Sequence, residues 1–206
     1  MLLWAGLLLL VGGVASFAID RRAAHFFHAA VNRRWERVLH KTTDWAKGGH
    51  WLAIASAAFL VAWGGRHLLG AGTAFAMLSQ VSLAFLASLA IGSAILHSMK
   101  IFLGRRRPRD ELELGLYGFM PWRFDLQYDS FPSGHALTIF CVAVIACGAM
   151  PWLTPLWFAI ALYLATTRAL LNAHFLSDVF VGAGIGLIVT RETVLLWFPE
   201  LARNWF

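Results

Sequence analysis

Six apolar runs divide this sequence, and together they leave few folds open to it. Met1–Ile19 has no charged side chain, Trp51–Trp63 is apolar apart from one serine, and Leu68–Leu96 is interrupted only by scattered serine, threonine and glutamine. Ala136–Trp152, Leu153–Thr167 and Phe175–Val189 complete the set. A helix that crosses a bilayer needs ~20 mainly apolar residues, so the shorter runs must borrow from their flanks. The chain is 59% hydrophobic and only 14% charged, whereas a soluble domain carries about 25% charged residues. These runs predict an all-α membrane protein, a bundle of six transmembrane helices, with five spans as the alternative. The small residues Val14–Ala18 could mark a signal-peptide cleavage site, but the positive segment that precedes one is missing; a retained helix is expected.

No repeat, low-complexity tract or long linker breaks the chain, so residues 1–206 are expected to form one domain. Two polar stretches separate the runs. In Asp20–His50, residues Phe27, Val31, Trp35 and Val38 recur at helical spacing, with Arg33, Arg34, Arg37 and Lys41 mostly off that face. That pattern predicts an amphipathic helix lying on the bilayer between spans one and two, against the alternative of a solvated hairpin. Gly104–Phe131 reads as a loop whose Trp122, Phe124 and Tyr128 form a lid or an interfacial belt. The net charge of +6 suits phosphate headgroups rather than nucleic acid in so apolar a chain. His25, His28, His40 and His50 lack compact ligand spacing, so no metal site is expected there. Cys141 and Cys147 lie inside one apolar run and read as small core residues.

Three charged clusters border the runs: Lys100 to Arg107-Pro108, Phe131-Pro132-Ser133-Gly134-His135, and Arg168, His174 and Asp178. If spans alternate in direction, all three emerge on one membrane face. Any one of these charges could be a snorkelling side chain; two histidines, an aspartate and several arginines on one face require more. Phosphoryl transfer needs positive groups around the non-bridging oxygens, a nucleophile in line and an acid for the leaving group. Lys100, Arg107 and Arg168 can supply the charge, and Ser133 and Gly134 precede a helix start whose free N–H groups favour an anion. With a helix beginning near His174, Asp178 falls on the same face and can hold one imidazole nitrogen, leaving the other to attack. His135 is then available as the acid. Ser133 as a hydrolase nucleophile fits less well, since Gly-x-Ser-x-Gly is absent. Arg105, Arg106 and Arg109 read mainly as a solvated charge run.

Lys100 separated by six residues from Arg107-Pro108, then Pro132-Ser133-Gly134-His135, then Arg168 separated by five residues from His174 and His174 by three from Asp178, resemble the type 2 phosphatidic acid phosphatase family. The resemblance spans Lys100 to Asp178. It implies a membrane-integral, metal-independent lipid phosphatase without cofactor. A phosphohistidine would form on His174, relayed by Asp178, with His135 as acid and Lys100, Arg107, Arg168, Ser133 and Gly134 binding phosphate. Thr167, Asn172 and Leu176 stand where serine, glycine and proline are common in the family; Asn tolerates left-handed backbone, so the turn can survive.

The implied partners are the bilayer and a phosphorylated lipid: lipid A 1-phosphate, undecaprenyl diphosphate, phosphatidylglycerophosphate or phosphatidate. The basic stretches lean toward lipid A or a diphosphate. Phosphotransfer to another lipid would begin on the same phosphohistidine. A transporter would instead distribute ionisable groups along its spans. The resemblance implies a bacterial cytoplasmic membrane with the site facing the periplasm. Against that, only Arg66, Arg191 and Arg203 of the 17 lysines and arginines lie off the motif face, and positive-inside reasoning alone points the other way.

Overall fold

The computed structural model describes residues 1–68, 70, 72–122 and 128–206. Among the described residues the regular structure is helical, as expected, with isolated bridges from Arg105 to Phe119 and Asp129. The apolar runs became α1 (Leu2–Ser16), α4 (Gly48–Leu68), α5 (Thr73–Leu103), α7 (Gly134–Ala149), α8 (Thr154–Leu170) and α9 (Leu176–Trp197). Between them lie α2 (Asp20–Ala30), α3 (Arg33–Thr43) and α6 (Pro108–Leu114), and α10 (Pro199–Trp205) follows α9. The short runs did borrow from their flanks. At 31 residues and 1.5 Å per residue, α5 is ~46 Å long, enough to carry Lys100 to the edge of a ~30 Å hydrocarbon layer.

Among the described residues three helices, α5, α8 with the turn before it, and α9, are long and apolar enough to cross a membrane. The pair α1–α2 makes a fourth if counted as one span, although it bends by 87° after Ser16. α9 is the centre of the bundle. On one side α1 packs against it through small residues: a Cβ on Gly6 would stand 2.5 Å from Ile188, and one on Gly184 would stand 2.9 Å from the Gly6 carbonyl oxygen. Such close approach is how helices pack where no water drives them together. On its other side α9 meets α7, where Gly186 lies under the Leu137 carbonyl. α4 packs along α5 and hardly touches α7.

The amphipathic stretch differs from the single helix expected. Val31 is extended, and the Asn32 side chain accepts from the amides of Arg34 and Trp35, both at 3.1 Å. An asparagine cap of this kind starts a new helix, so the four-residue apolar pattern is split. Phe27 packs on the core from α2, while Trp35 and Val38 stay exposed on α3. The result is a strap, α2 and α3, folded across one end of the bundle against α6, α8 and α9.

Candidate active site

The chain reverses between α8 and α9 in a tight turn. Asn172 adopts φ 50°, the left-handed conformation anticipated for it, and the amides of Ala173 and His174 both donate to the Arg168 carbonyl, at 3.0 and 3.1 Å. With its amide nitrogen facing α2, Asn172 also donates to the Ala24 carbonyl at 3.1 Å and accepts from the His28 amide at 3.3 Å. His174 therefore precedes α9 instead of lying on it. Asp178 caps the new helix, its Oδ2 accepting from the Phe175 amide at 2.8 Å.

This placement changes how the imidazole is held. His174 Nδ1 lies 2.7 Å from the carbonyl oxygen of Ser130 and 3.7 Å from Asp178 Oδ2. A carbonyl can only accept, so Nδ1 carries the proton and Nε2 keeps its lone pair. The expected orienting hydrogen bond from Asp178 is thus supplied by a backbone oxygen. The carboxylate acts one step removed, accepting from Ser130 Oγ at 2.6 Å and lending its charge. Burial, only partly opposed by Asp178, pushes the His174 pKa below that of an ordinary histidine. The imidazole is neutral at pH 7.

The other residues singled out in the sequence converge here. Ser133 caps α7, accepting from the Ala136 amide at 3.5 Å, and its own amide donates to the Asp178 carbonyl at 3.0 Å. That clips Gly134 and His135, in the first turn of α7, to α9. His135 lies within electrostatic reach of Arg168 and His174, and His174 within reach of Arg168 and Lys100. The Lys100 ammonium donates to the Asp129 carbonyl and lies 3.8 Å from the Asp129 carboxylate. Arg107 grips the same carboxylate at 2.8 Å through Nε and 2.7 Å through Nη2. Arg168 donates to Thr43 Oγ1 at 3.2 Å, but its buried Nε has no partner among the described residues. An orphaned buried guanidinium donor is costly unless a ligand completes it. An anionic oxygen does so, and three cations, a helix N-terminus and a free imidazole nitrogen around one point can hold a phosphoryl group.

Arg105, expected in a solvated run, is completely buried. It pairs with Asp20 at 2.7 Å and with Asp178. Nothing in the spacing distinguished it from Arg106, which bonds Tyr128 at 3.3 Å, or from the exposed Arg109. Asp20, Asp129, Ser130 and Thr43 were missed as well; only Asp20, the first acid after a long uncharged run, left a visible signal. The four histidines of the first polar stretch have separate surroundings: His25 faces Glu111, His40 faces Glu36, His50 at the start of α4 bonds the Asp44 carbonyl, and His28 borders the Asn172 turn. Of the expected lid, Trp122 is exposed and edges onto Phe102, Tyr128 is buried, and Phe124 lies outside the described residues.

Two cavities adjoin the site. A polar vestibule of about 360 Å³ lies beside the Asn172–Ala173 turn and is lined by His28, Arg107, Arg109 and Glu113. An apolar groove of about 280 Å³ runs between the strap, α7 and α8, walled by Ile139, Val142, Ile160, Leu164 and the rings of Trp45 and Trp157. Ile139 stands one turn after His135 and Leu164 one turn before Arg168, so the groove begins one turn below the cationic cluster.

Comparison with known proteins agrees with this architecture. Over 99 residues, 48% of the chain, it is 30% identical to a lipid A 1-phosphatase of Rhizobium johnstonii, and over 104 residues, 50% of the chain, 31% identical to one of Rhizobium etli. Those matches cover 41% and 45% of the relatives, so the chain spans less than half of either. The fold superposes on the crystal structure of a transmembrane PAP2-type phosphatidylglycerolphosphate phosphatase from Bacillus subtilis with a TM-score of 0.62. That superposition covers 97% of this chain and 94% of the other at 19% identity. Residues 81–201, which contain all three charged clusters, match the PAP2 superfamily, and the chain belongs to it.

Proposed function

We propose that the chain is a membrane-integral phosphatase that cleaves the phosphate of a lipid headgroup through a phosphohistidine on His174. The observation that carries this reading is the buried imidazole whose Nδ1 proton is fixed on the Ser130 carbonyl, leaving Nε2 free within electrostatic reach of Arg168, whose buried Nε has no partner among the described residues. Nε2 attacks phosphorus, the bond from phosphorus to the lipid oxygen breaks, and His135 gives that oxygen its proton. Water then attacks the phosphohistidine, returning a proton to His135 and releasing phosphate. Lys100, Arg107 and Arg168, with the Ser133 hydroxyl and the Gly134 amide as donors, supply the positive charge that a metal supplies in other phosphatases. Activity is therefore expected to persist in EDTA and to fall with vanadate, which mimics five-coordinate phosphorus; a strict divalent-metal requirement would remove this reading.

In this reading α1, α4, α5, α7, α8 and α9 are six spans, and the 87° bend turns α2 into the membrane plane. Exposed Phe26, Trp35 and Trp45 beside Arg22, Arg34 and Arg37 suit an interface. The site then opens at the outer face of a bacterial cytoplasmic membrane. The substrate's tail lies in the apolar groove and its headgroup in the vestibule, whose size and bases favour lipid A 1-phosphate or a lipid diphosphate over a small glycerol phosphate.

Phosphate release from purified protein across lipid A, undecaprenyl diphosphate, phosphatidylglycerophosphate and phosphatidate tests the preference. Equal rates on all four would reject the vestibule argument. Filling the groove with Ile160→Trp is expected to raise KM for a long-chain substrate about tenfold, the equivalent of losing contact with one or two methylenes. A short-chain analogue should be turned over as by the parent. If both substrates responded alike, the groove would not hold the tail.

A further inference from the structure

Asp178 has no contact with solvent, and the cation that balances it is not one of the three around the phosphate position. The Arg105 guanidinium donates to Asp178, to Ser177 Oγ at 2.6 Å, to Asp20 Oδ2 at 2.7 Å and to the Tyr117 hydroxyl at 2.9 Å. Asp20 also accepts from the Ser177 amide at 3.0 Å. The rings of Phe175, Phe17, Phe119, Tyr117 and Phe131 surround the guanidinium carbon at 4.4–5.9 Å. Arg105, Asp20 and Asp178 are each wholly buried; although Arg105 Nε, like Arg168 Nε, has no polar partner among the described residues, the rings around this guanidinium keep a phosphate oxygen from it unless the box is dismantled. Asp20 comes from the elbow between α1 and α2, outside the segment that matches the superfamily.

We propose that Arg105, held by Asp20, is a positioning residue for Asp178 and through it for His174, and is not a phosphate ligand. This rests on the reading of His174 as nucleophile. One guanidinium between two carboxylates fixes Asp178 Oδ1, which leaves Oδ2 for Ser130 and the Phe175 amide. It also leaves the cluster one negative charge in excess. That excess faces an imidazole that becomes cationic as it takes up phosphorus. Lysine in place of Arg105 carries the charge but lacks the fork, and cannot meet Asp178 and Asp20 together.

The charged groups facing His174 are Lys100 on α5, His135 on α7, Arg168 on α8 and Asp178 on α9. Arg105 and Asp20 act behind Asp178, so changing their charge moves the acid limb of kcat/KM, which reports an essential base in the free enzyme. The signs are opposite. Asp20→Asn removes a negative charge, disfavours the imidazolium and moves the limb to lower pH. Arg105→Gln removes a positive charge and moves it to higher pH. Each shift is expected to be about half a pH unit or more. Arg105→Lys should leave the limb in place while kcat falls about tenfold or more. Competitive inhibition by inorganic phosphate, which needs the cradle but no bond to His174, should stay within about twofold of the parent in all three.

General damage to the fold lowers activity but does not shift the limb in opposite directions. Where Arg105→Gln fails to fold, the milder Asp20→Asn decides alone. An unmoved limb with parental kcat in Asp20→Asn, or a loss of inorganic phosphate affinity proportional to kcat in Arg105→Lys, overturns the proposal. His174→Ala, run alongside, separates the two readings. If it keeps turnover, the nucleophile assignment has failed; if it is inactive while the Arg105 and Asp20 variants behave as the parent, only the positioning role has.

Discussion

His174→Ala is expected to lower phosphate release about a thousandfold or more, the scale seen when a group that forms a covalent intermediate is removed. The expectation comes from the position of the imidazole. His174 lies in a turn fixed at both ends, by the Arg168 carbonyl and by the start of α9, and its ring is oriented by the Ser130 carbonyl. Its removal takes away the one unprotonated ring nitrogen set among Arg168, Lys100 and the α7 N-terminus. Water admitted to the space lacks that alignment. Acid-quenched protein exposed to labelled substrate should carry phosphate in the parent and none in the variant. His135→Ala should still form the phosphoprotein, at a slower rate. Because burial holds the His174 pKa below the ordinary value of about 6.5, the acid limb of kcat/KM should lie below the ordinary histidine range. A variant with near-parental turnover, or a parent that never carries phosphate, would remove His174 from the reaction.

The apolar runs were legible because hydrocarbon burial imposes length on a helix, and the three clusters were legible because alternating spans bring only certain ends together. Where local hydrogen bonding outweighed periodicity, the reading broke down. Phe27 to Val38 follow a helical repeat, yet Asn32 captures two amides and starts a second helix. His174 and Asp178 are spaced as helical neighbours, yet α9 starts between them, so the imidazole turns to a carbonyl at Ser130 that no side-chain pattern advertises. The Arg105–Arg109 run hid its most consequential member. Arg105 is distinguished from Arg106 only by which way the chain turns after Gly104, whose φ of 53° points one guanidinium into an aromatic box and leaves the next nearer the surface. Asp20 and Thr43 reach the site from 85 and 125 residues away along the chain, relative to Arg105 and Arg168. Such long-range closure follows from the way the strap packs.

Gly182→Ala carries the second large expectation, and the sign is not obvious from helix preference. In the second turn of α9 an alanine gains up to about 1 kcal/mol over glycine in helix propensity, so a view confined to the helix predicts a neutral or stabilising change. The added methyl, however, would overlap the carbonyl oxygen of Ser133 and stand 3.2 Å from both its carbonyl carbon and its amide nitrogen. These are backbone atoms of a fully buried residue whose amide is tied to the Asp178 carbonyl at 3.0 Å, so no flexible side chain can absorb the contact. The start of α7 has to move away from α9, taking Ser133, Gly134 and His135 from His174. A displacement of about an ångström between groups that must act together can cost ~100-fold in rate. We therefore expect kcat to fall on that scale and vanadate inhibition to weaken with it, in protein that still folds. Gly12→Ala in α1 is the matched control, since a Cβ there meets nothing within 4 Å; it should retain parental kinetics. If Gly182→Ala matched that control, the direct seating of the α7 N-terminus on α9 would not be what sets the distance between His135 and His174.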